Sequence, residues 1–167
     1  SPNGGEGAAQ PVGAGRDARM LLDLSRRSKV AIVASTGYHL DGFYEPSNPI
    51  LRLREDELTR LYRKELTLGM LPAGTEDSCE HTGILAGVVK AAIPREGPTG
   101  GYRARLTAAA RAAALAGRTL MLHTEAGENA LAALELCFRC GLSPNRILVC
   151  HADRQAADVS VHEAIAE

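Results

Sequence analysis

The chain has 167 residues, of which 45% are hydrophobic and 23% charged, and its formal net charge is −1. That is room for one domain with a real core. Acidic and basic residues are interspersed, which leaves no electrostatic footprint for nucleic acid or an anionic membrane surface; the expected partner is a small-molecule substrate, with no nucleic acid and no membrane. No apolar run approaches the roughly 20 residues of a bilayer span, and the N-terminus lacks the basic-then-apolar order of a secretory signal, so a cytoplasmic protein is expected. The four cysteines, Cys79, Cys137, Cys140 and Cys150, sit in apolar segments and read as reduced thiols rather than a disulfide framework.

Residues 1–15 are rich in Gly, Pro and Ala without periodicity and read as a loop. Asp17 can cap a helix running to about residue 27, with Met20, Leu21 and Leu24 as its apolar stripe. Residues 29–36 then read as a buried strand. The stretch 37–53 carries Tyr38, His39, Phe43, Tyr44, Pro46 and Pro49, which suits a long loop with functional potential. A helix over about 55–68 follows, then a strand over 83–93. An Ala-rich helix spans 102–116 and is closed by Gly117, and 119–123 is a third strand. Residues 128–140 form a further helix ended by Gly141, 146–151 a fourth strand, and a last helix begins near Ala156. Ser1 is not a Met and Glu167 falls within a helical pattern, so the chain reads as a fragment.

Helices alternating with short apolar strands argue for βαβ units and a parallel sheet covered by helices. Neither a Gly-x-Gly-x-x-Gly turn nor a Walker phosphate loop follows any strand, and Gly13 and Gly15 have no visible strand before them. The fold class expected is α/β, a single domain over 1–167 forming part of a TIM (β/α)8 barrel.

The informative pattern is positional. Lys90, His123 and His151 each stand at the C-terminal end of a strand, about one βα unit apart, and strand ends at that face of a barrel converge on the active site. Alternation would place Val149 on the inner face with His151, and Leu148 and Cys150 on the outer face; Met121 would accompany His123, and Val88 would accompany Lys90. A single His at a strand end is more often structural, and a lone Lys usually snorkels to water. A lysine at a barrel mouth must tolerate desolvation of its charge, and conversion to an anionic ligand would supply a reason. An amine base or Schiff-base nucleophile is the other role open to Lys90.

The segments Ser1-Pro2-Asn3-Gly4 with Gly15-Arg16-Asp17, Ala34-Ser35-Thr36-Gly37-Tyr38, Ala86-Gly87-Val88-Val89-Lys90, His123-Thr124-Glu125 and His151-Ala152-Asp153 resemble the phosphotriesterase family of the amidohydrolase superfamily. The resemblance implies a metal-dependent hydrolase in which Lys90, carboxylated to a carbamate, bridges two divalent metal ions, zinc by the nature of the ligands, while His123 and His151 bind the second ion. It implies metal-activated water attacking a phosphoester, lactone or amide centre. The four strands would be barrel strands three to six. The His-x-His of the family's first strand and the Asp of its eighth have no counterpart here, so the implied activity belongs to a parent protein and the 167-residue chain alone would be inactive. The reading from a different class is a truncated, non-catalytic half barrel acting as a binding or assembly module, a homodimer that covers its open edges.

Further candidates are Arg154, which could meet an anionic substrate group or cap a helix, and Glu125 and Glu128, which suit a helix N-terminus. Glu125 and Arg154 count as candidate substrate contacts. So does Tyr38, which with Phe43 and Tyr44 either walls a pocket or anchors its own loop. Cys137 and Cys140 form a C-x-x-C inside a helix and read as core. His39, His81 and His162 lack matching partners and stay unassigned.

Overall fold

The computed structural model describes residues 11–72, 80–155 and 159–166. Cys79, most of the expected N-terminal loop and the start of the last helix near Ala156 lie outside the described residues. Helix α1 (Ala18–Ser28) starts where expected, because the Asp17 side chain accepts from the backbone N–H groups of Arg19 and Met20, both at 3.0 Å. Its buried residues are Ala18 and Leu21 alone, and Met20 and Leu24 face outward. The expected stripe is therefore narrower than its apolar residues.

Strand β1 is only Ser35–Gly37, shorter than the expected 29–36. Ladder pairing begins at Ser35 opposite Val88, and β1 has a strand on one side only among the described residues. Val30 and Val33 consequently lie exposed in extended chain without a ladder. Helix α2 (Glu55–Thr67) follows two short 3-10 turns; three acidic residues in its first turn suit the positive end of the helix dipole. Leu58, Tyr62 and Leu66, one turn apart, make its buried stripe. Strand β2 is Val88–Ala92, again a shortened version of the expected 83–93. Helix α3 (Gly100–Ala116), strand β3 (Thr119–His123), helix α4 (Ala130–Arg139), strand β4 (Ile147–Cys150) and helix α5 (Val159–Ala166) complete the order.

The strands form one parallel sheet in the order β1-β2-β3-β4. Its two faces differ in cover. On the helix side Val89, Ala91, Leu120 and Leu122 are fully buried, and α3 supplies Ala108, Ala109, Ala110, Ala112 and Ala113, whose small side chains let it seat closely. Each buried leucine there contributes about 1.5–3 kcal/mol. On the other face lie Lys90, Met121, His123 and Leu148, and Leu148 is 52% exposed. The architecture is α/β with four parallel strands, and the polar residues of interest line its less covered face.

A buried ion pair fastens the segment before α1 to this frame. Arg16 donates to both carboxylate oxygens of Glu65, at 2.9 and 2.5 Å, and to the Ser35 carbonyl at 2.8 Å. Glu65 also accepts from the Leu71 N–H at 2.8 Å. Both side chains are almost wholly removed from solvent.

Candidate metal centre

Lys90 does not end its strand: it is the middle residue of β2, in register with Gly37 on one side and Met121 on the other. His123 ends β3 opposite Ala92, so Lys90 starts two residues deeper, roughly 6–7 Å at the rise of a parallel strand. A lysine is long enough to span that offset. Its side chain is carried on the same face as Met121 and His123, and the residue is only 6% exposed.

The alternation expected for β4 is reversed. Leu148 pairs with Met121 and Cys150 with His123, so these two occupy the Lys90 face, and Val149, opposite Leu122, turns to the helices. Regular alternation would then send His151 away from the site. His151 instead adopts φ 66°, a left-handed conformation uncommon outside glycine, and this break brings its ring centroid to 4.7 Å from that of His123 in an edge-on arrangement. Burial, with Arg154 and His123 nearby, lowers the His151 pKa below its ordinary value.

His39, unassigned in the sequence, joins the cluster from β1. Gly37 lies against Lys90 so closely that a Cβ on Gly37 would fall 1.9 Å from the Lys90 carbonyl oxygen, and the Tyr38 N–H donates to that oxygen at 3.0 Å. Side chains alternate from there: Gly37 faces the Lys90 side, Tyr38 the helices, His39 the Lys90 side again. The His39 ring centroid is 5.0 Å from that of His123 and 3.8 Å from that of Phe43. Burial, followed by the nearby Lys90 and His123, pushes its pKa down to about 3. The signal that could have found it was strand parity counted from Gly37.

The other candidates separate. Glu125 accepts at 3.1 Å from His123 Nε2, and this hydrogen bond holds the Glu125 carboxyl below its usual pKa. Glu128 pairs with Arg95 at 3.3 Å. Arg154 is exposed, and its backbone N–H donates to the His151 carbonyl at 3.2 Å. Tyr38 is 1% exposed and packs toward Tyr102 and Arg105 of α3, so it is a core residue rather than a pocket wall. The Tyr44 hydroxyl accepts from the His39 N–H at 2.8 Å and anchors the loop. Cys137 belongs to the core, its thiol pushed up to about 12 by burial. His81 contacts the carbonyl of Gly69, and His162 that of Ala152, the residue after His151.

Among the described residues no three His, Cys, Asp or Glu side chains form a cage for a cation. Two imidazoles at van der Waals range and a buried lysine on the same face are nevertheless suitable donors for part of a metal shell, once the lysine carries an oxygen ligand. With Glu125 on Nε2, His123 keeps Nδ1 for coordination, the usual pairing of a carboxylate with a ligating imidazole.

A parallel α/β sheet with such a cluster at its C-terminal end is the arrangement of part of a (β/α)8 barrel, a class whose chemistry sits at the strand ends. The model of the phosphotriesterase family matches residues 9–167, and the chain belongs to that family. It is 27% identical over 156 residues to a phospho-furanose lactonase of Mycoplasmopsis agalactiae, covering 86% of this chain and 42% of that one. A mutant phosphotriesterase-like lactonase of Deinococcus radiodurans superposes with a TM-score of 0.78 at 29% identity, over 94% of this chain and 47% of that one. A structure from the engineering of organophosphate hydrolysis on a weak promiscuous lactonase gives 0.75 at 29%, over 90% and 45%. The chain thus spans under half the length of these relatives, and the fold corresponds to part of their barrel.

No helix among the described residues is long and apolar enough to cross a membrane.

Proposed function

We propose that this chain supplies the Lys90, His123 and His151 ligands of a two-metal hydrolase acting on a lactone or an organophosphate ester. The observation that carries the reading is the left-handed turn at His151, which abandons strand alternation and turns its ring against that of His123. A conformation that costs about 1–3 kcal/mol is retained where the side chain's position matters. The names of the relatives, lactonases and an organophosphate-hydrolysing derivative, indicate the substrate class.

In this reading Lys90, carboxylated on its amine by CO2 with loss of one proton, would hold the metal ions together with His123 and His151 and would supply them with oxygen ligands. His123 and His151 supply nitrogen ligands suited to zinc. The two ions, when bound, would polarise the substrate oxygen and acidify water. Glu125 would hold the His123 ring in orientation, and Arg154, exposed in the turn after His151, would be free to meet an anionic substrate group. The unpaired Cys137, Cys140 and Cys150 suit a reducing, cytoplasmic setting.

The test is hydrolysis of γ-lactones and phosphate triesters by the full polypeptide with zinc and bicarbonate. Activity abolished by a chelator and reduced at least roughly 100-fold in Lys90→Ala is expected. Hydrolysis indifferent to both would overturn the reading.

A second reading rests on the open sheet. Leu148 and Val33 are exposed, and β1 and β4 each have one strand neighbour among the described residues. Two copies of such a half barrel would pair their edges as an assembly module. A concentration-dependent dimer that binds no zinc would favour it.

A further inference from the structure

Resting on the reading of Lys90 as a carboxylated ligand, we propose that His39 is a positioning residue whose Nε2–H donates a hydrogen bond to a carboxylate oxygen carried by Lys90. Three observations converge on this. The Leu40 N–H donates to His39 Nδ1 at 2.7 Å. That nitrogen therefore carries no proton, and the ring hydrogen of the neutral imidazole sits on Nε2. The backbone itself selects the tautomer.

The ring is also fixed in place. His39 is 6% exposed and held between Phe43 and His123. With Nδ1 turned to its own loop, the Nε2 edge is turned away from it. A donor on so buried a residue loses little to competition from water.

Finally, the backbone brings this ring over Lys90. Gly37 is in register with Lys90 and within contact of its carbonyl, and His39 follows two residues later on the same face. A neutral donor suits the place: it satisfies an anionic oxygen without adding positive charge beside metal cations. A bulky core histidine would need only the Phe43 contact.

The experiment follows Lys90 carboxylation directly. The full polypeptide is stripped of metal and reloaded with zinc in 13C-bicarbonate, and the carbamate 13C resonance is titrated against bicarbonate. The wild type should show the resonance and Lys90→Ala should lack it. His39→Leu should need roughly tenfold or more bicarbonate for half-occupancy, while His39→Gln, which keeps a donor, should stay within about threefold of wild type. Should the leucine variant fail to fold, His39→Phe, which preserves a ring against Phe43, gives the same comparison. Wild-type dependence in the leucine or phenylalanine variant overturns the role of His39 and leaves Lys90 as a ligand. Absence of the resonance in the wild type overturns the Lys90 reading and this inference with it.

Discussion

Gly37 and Lys90 lie in register on neighbouring strands, with the Gly37 backbone at φ 104° and no room for a Cβ beside the Lys90 carbonyl. The fit lets Tyr38 hydrogen-bond across to Lys90 and delivers His39 to the cluster. Gly37→Ala combines an unfavourable φ with a backbone clash, and a loss of about 2–4 kcal/mol is expected in urea denaturation. Stability within 0.5 kcal/mol of wild type, a level typical of neutral surface changes, would contradict the packing.

The Arg16–Glu65 pair is buried and hydrogen-bonded on both sides. Removing one member strands a charge, so Arg16→Met or Glu65→Leu should each cost about 3–5 kcal/mol. The double variant should cost less than either single change, because neither charge is left alone. A double-mutant cycle by chemical denaturation measures the coupling, and simple additivity would argue against the pair.

Much of the fold was legible because its signals are local. Asp17 marks the start of α1, Gly117 the end of α3, and the apolar run before His123 marks β3. What escaped depends on neighbours. Residues 29–34 have strand composition but pair with no strand among the described residues, so Val30 and Val33 stay outside the ladder. An apolar run that starts at Gly83 sets Lys90 late in its segment, whereas pairing runs only from Val88 to Ala92 and makes Lys90 the middle residue. Unbroken alternation back from His151 gives β4 the wrong parity, because the positive φ of His151 interrupts it. His39 was hidden for the same kind of reason: its position follows from the Gly37–Lys90 register, which no single segment encodes.

Glu125 fixes the orientation of His123 through Nε2. Glu125→Gln retains an acceptor oxygen and should change zinc affinity little. Glu125→Ala should weaken it by about 10–100-fold, as losses of a ligand's supporting hydrogen bond do. Isothermal titration of the metal-free protein with zinc distinguishes the two, and equal affinities in wild type and the alanine variant would remove Glu125 from the site.

The Cys137 thiol is buried and its pKa pushed up to about 12, so at pH 8 it stays protonated in the folded protein. Iodoacetamide should leave Cys137 unmodified under native conditions and alkylate it once the chain is unfolded, with site occupancy read by peptide mass spectrometry. Rapid native labelling of Cys137 would contradict its place in the core.

The central claim is that Lys90, His123 and His151 are ligands of one metal centre, and zinc stoichiometry of the full polypeptide tests it most directly. After dialysis against zinc and bicarbonate, elemental analysis should find bound zinc in the wild type. It should find a marked loss in folded Lys90→Ala, His123→Ala and His151→Ala, checked by circular dichroism. Zinc content unchanged in all three folded variants, or no zinc in the wild type, would contradict the account.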